Sequence, residues 1–120
     1  MTATPILTTV AYRSHLAATA AAGGELSPIA YLAFGTGTRG YSPDEDTALQ
    51  IEVARLPAVV RVAGPEVTAS ATLPGTAIAG LTITEVAAFT ASGVLVVRKT
   101  IAPVELEPYG EMDFDITFEY

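Results

Sequence analysis

The sequence predicts an α+β fold: an antiparallel β-sheet or sandwich with one N-terminal helix and a short second helix. An Ala-rich segment near the start is followed by β-prone runs that turn residues separate. The last of these runs, EMDFDITFEY, alternates apolar and polar residues, as a half-buried antiparallel strand does. The 120 residues are interpreted as one domain, 1–120.

Composition limits the classes of partner. Thirteen acidic residues against six Lys and Arg give a net charge of −7, and the basic residues are scattered except for Arg98-Lys99. This pattern disfavours nucleic acid, whose recognition relies on clustered cations. The chain has no cysteine, which excludes disulfides and thiolate metal sites. No run approaches the roughly 20 apolar residues of a membrane span, so we expect no membrane insertion.

The first element is predicted to be a helix over residues 8–22. Alanine dominates the segment, and Thr8 or Thr9 can cap the free N–H groups of the first turn. Two glycines at 23–24 supply the C-terminal stop.

A strand, a glycine loop and the short second helix are predicted next. The apolar run 29–34 is interpreted as the strand, and residues 35–40, GTGTRG, as the loop. Ser42 is predicted to be the N-cap of a helix, since Pro follows at the first helical position and Glu45 completes a capping box. A short helix is therefore expected through 47–51.

The second half of the chain is predicted to be all β. Residues 53–63 are β-rich, with Pro57 indicating an edge or a bulge, and residues 67–73 alternate as a strand does. Residues 81–100 are interpreted as a hairpin, because two β-prone runs flank the short connection 91–93, which contains a glycine.

Glu85 interrupts the alternation of this hairpin. Strict period two places its carboxylate on the apolar face of Leu81, Ile83 and Phe89. Such a carboxylate is a paired structural group, is turned outward by a bulge, or is a functional acid. We interpret Glu85 as structural, accepting backbone N–H groups or pairing with an arginine such as Arg55.

Other candidates for chemistry have simpler explanations. The loop 35–40 matches GxGxxG, but no helix follows at once as phosphate binding requires. The acids at 44–46 lack the register of a calcium loop, and His15 is the only histidine. We therefore expect no catalytic residue, no cofactor and no metal site. Tyr41 is a candidate interface anchor, because aromatic residues are enriched at interfaces.

Three segments together resemble the N-terminal domain of bacteriophage tail-fibre (tail-collar) proteins. They are AFGTGTRGYSP at 33–43, Thr-x-Leu-x-x-Glu-Val-x-Arg at 47–55, and Ile-x-Glu-Val at 83–86. The second segment contains Glu52 and Arg55 and the third contains Glu85, so these residues join Tyr41 as structural or interface candidates. The family usually continues with Gly, a large aliphatic residue, an aromatic residue and Asp, whereas AAFT follows here.

The resemblance implies a structural virion protein. It would be a fibre-anchor or adaptor domain on the baseplate of a phage tail or a related contractile injection system, and not an enzyme. Its partners would be baseplate or tail-fibre proteins and copies of itself, with a trimer favoured. It would be assembled in the bacterial cytoplasm and reside in the virion.

Two other hypotheses stay open at this point. One is a soluble β-rich binding module that recognises a cell-surface carbohydrate or protein, with Tyr41 and Tyr109 as the plausible contact aromatics. The other is a small hydrolase that uses Glu85 and an aspartate as a carboxylate pair.

Overall fold

The computed structural model describes residues 7–119, which form two packed antiparallel sheets and one α-helix. The predicted α+β class and the N-terminal helix are thereby confirmed. In chain order the elements are α1 (Val10–Ala22), β1 (Ile29–Gly35), β2 (Glu52–Pro57), β3 (Val59–Ala63), β4 (Glu66–Pro74), β5 (Ile83–Thr90), β6 (Leu95–Val104) and β7 (Glu111–Glu119).

The strands divide into a four-stranded sheet, in the order β2-β1-β5-β6, and a three-stranded sheet, in the order β3-β4-β7. The core lies between them, since buried residues of both sheets form one apolar cluster. Phe34 of β1 and Phe114 of β7 meet edge to face, with ring centroids 5.0 Å apart.

The helix has the predicted caps. The Thr9 side chain accepts a hydrogen bond from the Tyr12 N–H, and Gly23 adopts the left-handed conformation with φ 73°. The Thr9 N–H also donates to the Val96 carbonyl of β6, which joins the start of the helix to the sheet. Tyr12 is the one fully buried residue of α1, so the helix packs mainly through its first turns.

The predicted second helix is wrong. Residues 43–51 form turns and bends, and the other helical segment of the described chain is a 3₁₀ turn at Gly75–Ala77. The physical reason is competition for the backbone donors. The N–H groups of Gln50 and Ile51 donate to the Glu85 side chain instead of to carbonyls one turn earlier.

The β-rich segment 53–63 is two strands that belong to different sheets. β2 ends at Pro57, and β3 begins at Val59. Ala58, between them, donates its N–H to the Ala30 carbonyl of β1 and not to β4, the neighbour of β3. Pro57 thus marks the corner where the chain passes from one sheet to the other.

The predicted hairpin is confirmed as β5 and β6, with Gly93 at φ 96° in the connection. β5 is buried on both faces and lies inside its sheet, between β1 and β6. The predicted last strand is β7, in which Phe114, Ile116 and Phe118 are buried as expected. Met112 is exposed, and Tyr120 lies outside the described residues.

Candidate functional site

The side chain of Glu85 is fully buried and accepts four hydrogen bonds. Its Oε2 accepts from the N–H groups of Gly37 and Ile51, both at 2.8 Å. Its Oε1 accepts from the Gln50 N–H at 3.0 Å and from Arg98 Nε at 2.8 Å. Each carboxylate oxygen therefore has two donors, which fills the acceptor capacity of the group.

Arg98 extends this site into a chain of alternating charges. Its Nη1 lies 3.4 Å from Asp46 Oδ2, and its Nη2 donates to the Arg39 carbonyl at 2.7 Å. Asp46 in turn pairs with Arg39 Nη2 at 2.8 Å and accepts from the Ser42 N–H. We call Glu85, Arg98, Asp46 and Arg39 the ionic cluster.

The sheet register explains why this cluster forms. Arg98 lies opposite Ala87, two residues from Glu85, so both charged side chains are on one face of the four-stranded sheet. Val86 and Ala88, on the opposite face, belong to the core between the sheets. The loop 36–51 crosses the face of Glu85 and supplies the remaining members of the cluster.

An apolar cluster continues the same face beside the charges. Leu49 of the loop packs there with four buried residues of the sheet: Ala33, Ala87, Phe89 and Leu95. The loop is thus held to the sheet by both ionic and apolar contacts, and it excludes water from Glu85 and Arg98.

Gly35 and Gly37 are required by the close approach of the loop to Glu85. A Cβ added to Gly35 would overlap the Ile51 carbonyl and the Glu85 carboxylate. One added to Gly37 would overlap Gln50 and the same carboxylate. The GTG pattern is therefore explained by packing against a protein carboxylate, and it needs no phosphate ligand.

The pKa values of both acids are lowered. Burial by itself raises the pKa of Glu85, but the N–H groups of Ile51, Gln50 and Gly37 together with Arg98 outweigh it. For Asp46, burial is likewise outweighed, here by the Ser42 N–H, Arg39 and Arg98. Both carboxylates are thus anions at neutral pH. Glu85 has neither a proton to give nor an open lone pair with which to accept one, so this geometry favours a structural role.

Arg55 and Glu52 pair with each other, and not with Glu85, at 2.8 Å on the partly exposed strand β2. The Arg55 guanidinium also lies over the Phe89 ring, 4.0 Å from its centroid. The arginine that binds Glu85 is therefore Arg98 and not Arg55.

Sequence reasoning missed Arg98 and Asp46. A signal for Arg98 was present, because it directly follows the apolar run VLVV on the strand that pairs with the strand of Glu85. Asp46 had no comparable signal, since an acid in a loop is ordinarily solvated.

Tyr41 contacts its own chain. Its hydroxyl donates to the Leu7 carbonyl at 2.6 Å, and burial together with the nearby Asp46 raises its pKa to about 12. Tyr41 thus joins the loop to the residues that precede the helix.

Residues 7–119 contain no group of three or more His, Asp or Glu side chains placed to hold a metal ion. Their single α-helix is not long and apolar enough to cross a membrane.

Fold and site together define a two-sheet α+β domain in which the ionic cluster, buried except for Arg39, attaches a long loop to the outer face of one sheet. In comparisons with known proteins, no family model matches the chain, and no match was found among curated proteins or solved structures.

Proposed function

We propose that this protein is a structural component of a phage tail or of a related contractile injection system, as an anchor or adaptor domain that attaches a fibre to the baseplate. One observation supports the proposal most. The three segments that carry the sequence resemblance meet at a single group, the Glu85 carboxylate.

Each of the three segments contributes at least one residue to the hydrogen bonds of this carboxylate. Gly37 comes from the first segment, Gln50 and Ile51 from the second, and Glu85 from the third. Segments that shared only composition with a family would have no reason to form one hydrogen-bonded unit. Their contact supports the view that the resemblance reflects a common scaffold.

The properties of the site agree with a scaffold. The carboxylate accepts four hydrogen bonds and the guanidinium binds three protein groups, and both are fully buried, so they fix a loop geometry and are not accessible to a substrate. The partners are baseplate or fibre proteins and further copies of this chain.

Purified particles provide the test. Tails would be prepared from the source strain and from a strain that lacks this gene, then compared by mass spectrometry and by antibody labelling in the electron microscope. We expect the chain in the normal particles, labelled at the fibre-bearing end, and fibreless tails from the deletion strain. Complementation with the intact gene should restore the fibres. Particles that retain their fibres without this chain would contradict the proposal.

One observation favours the alternative of a cell-surface binding module. Tyr109, in the turn between β6 and β7, is 90% exposed, and an exposed aromatic ring can stack on a sugar. Tyr41, its expected companion, is held by Leu7. A glycan array that binds the wild type and loses binding with Tyr109→Ala would support this alternative over the adaptor.

A further inference from the structure

The turn between β6 and β7 holds an aromatic ring in solvent. Tyr109 is 90% exposed, the highest value among the large hydrophobic side chains of residues 7–119. The Gly110 N–H donates to the Glu107 carbonyl at 2.9 Å, which closes a four-residue turn. Pro108 and Gly110 occupy the second and fourth positions, where type I turns favour proline and glycine. The turn itself does not require an aromatic residue at its third position.

A second segment, residues 75–82, holds this turn in place. It connects β4 to β5, and the N–H of its first residue, Gly75, donates to the Gly110 carbonyl at 2.8 Å. A Cβ added to Gly75 would overlap the Glu107 carbonyl oxygen, so the two backbones are in direct contact. The backbone of Tyr109 is therefore fixed before any partner binds, and binding loses little conformational entropy there.

The charges around Tyr109 have one sign. Segment 75–82 contains no charged residue, and no Lys or Arg follows Lys99 in the chain. The residues that flank the turn include three exposed glutamates, none of which has an ion pair within residues 7–119: Glu105, Glu107 and Glu111. The ring thus projects from an acidic surface.

We propose that the turn Glu107–Gly110 is a docking contact, which inserts Tyr109 into an apolar pocket on a partner protein whose rim carries Lys or Arg. This inference rests on the proposed function, since the partner is one of the tail or fibre proteins. It adds which part of this chain makes the contact and what chemistry the partner surface has.

Shape and charge select this occupant. Small ligands such as sugars bind in concave sites that bury most of their surface, whereas a ring that is 90% exposed at a turn projects outward. A rigid aromatic side chain seated in a pocket is the common form of an interface hot spot. The same end of a second copy would bring glutamates against glutamates, and an anionic lipid surface would be repelled as well. A cationic rim on the partner would be attracted.

Restoration of fibres in vitro tests the contact. Extract of the deletion strain, with fibreless tails and free fibres, is mixed with purified chain, and fibre-bearing tails are counted in the electron microscope. We expect the wild type to restore fibres and Tyr109→Ala to need about 30-fold more protein for the same count. Tyr109→Phe keeps the ring and should restore most of the effect.

Glu107→Lys tests the charge of the contact. It should raise the required concentration about tenfold, because it reverses a charge that faces cations. High salt should narrow its difference from the wild type, since exposed charges are screened.

Leu26→Ala and Glu25→Lys are the matched controls. They remove an exposed apolar side chain and reverse an exposed charge, both next to Ser27. Ser27 accepts from the Ser92 N–H, so these positions lie at the opposite end of β5 and β6 from the turn. Both controls should restore fibres as the wild type does. Tyr109→Ala should unfold at the wild-type temperature, because its ring is exposed.

Four results would overturn this inference. They are restoration by Tyr109→Ala at the wild-type concentration, equal effects of Glu107→Lys and Glu25→Lys, binding to a glycan array that requires Tyr109, and a dimer of the isolated chain that Tyr109→Ala abolishes. The last two would assign the ring to a saccharide or to a second copy. If the wild-type chain restores no fibres, the adaptor proposal fails too, whereas undiminished restoration by Tyr109→Ala contradicts this inference alone.

Discussion

Glu85 Oε1 and Arg98 Nε lie 2.8 Å apart, on adjacent strands, with both side chains completely buried. Each of the two also binds groups of the loop 36–51, so the pair connects the loop to the sheet. A buried ion pair need not stabilise a fold relative to apolar residues, but removal of one partner leaves an uncompensated charge. The first two predictions follow from this asymmetry.

Glu85→Gln should lower the free energy of unfolding by about 3 kcal/mol or more, because the amide NH₂ would face a donor and Arg98 would lose its counter-charge. Denaturant titration measures the change. Glu25→Gln is the matched control at an exposed position and should change the value by less than about 0.5 kcal/mol. Equal stability of the two variants would contradict the structural role of Glu85.

Arg98→Lys should destabilise the protein despite its conserved charge. The guanidinium contacts Glu85, Asp46 and the Arg39 carbonyl through three different nitrogens, and one ammonium group cannot reach all three. We expect a loss of about 2 kcal/mol, since at least one buried acceptor loses its donor. Arg13→Lys, at an exposed position, should be neutral in the same titration.

Gly37→Ala should destabilise by about 1–3 kcal/mol, because the new methyl group would overlap Gln50 and the Glu85 carboxylate. Gly24→Ala is the control, since a Cβ there meets nothing within 4 Å. Thermal unfolding of both variants provides the comparison. If Gly37→Ala is as stable as the control, the loop does not approach Glu85 as described.

Acid should unfold the wild type more steeply than Glu85→Gln. The pKa values of Glu85 and Asp46 are lower in the folded protein than the ordinary values of 4.5 and 3.8. The stabilisation is therefore fully present above those ordinary values and is lost as the pH falls through the folded pKa values. Denaturation midpoints from pH 7 to pH 2 would measure this, and parallel curves for the two proteins would count against the assignment.

Hydrogen exchange should protect loop amides that secondary structure does not explain. Gly37, Gln50 and Ile51 lie outside the strands but donate to buried carboxylate oxygens. Their amide protons should exchange about 100-fold more slowly than those of Thr47 and Ala48, which have no such acceptor in the structure. Similar rates for both groups in exchange followed by NMR would show that the loop is not held by Glu85.

Much of the fold was predictable from local pattern. Thr9 and the glycine at 23 were recognisable as helix caps. The alternation of β7 placed Phe114, Ile116 and Phe118 correctly on its buried face, although it placed Met112, which is exposed, on that face too. These features depend on residues close in sequence, so the sequence determines them through backbone preference and periodicity. The unusual position of Glu85 was visible for the same reason.

Only the tertiary structure decided which groups bind Glu85. Gly37, Gln50, Ile51 and Arg98 are separated from it by 48, 35, 34 and 13 positions. The fold of residues 43–51 was decided in the same way. Their capping pattern favours a helix locally, but the buried carboxylate takes the N–H groups that a helix would need, and an unpaired charge in the core costs more than a short helix gains.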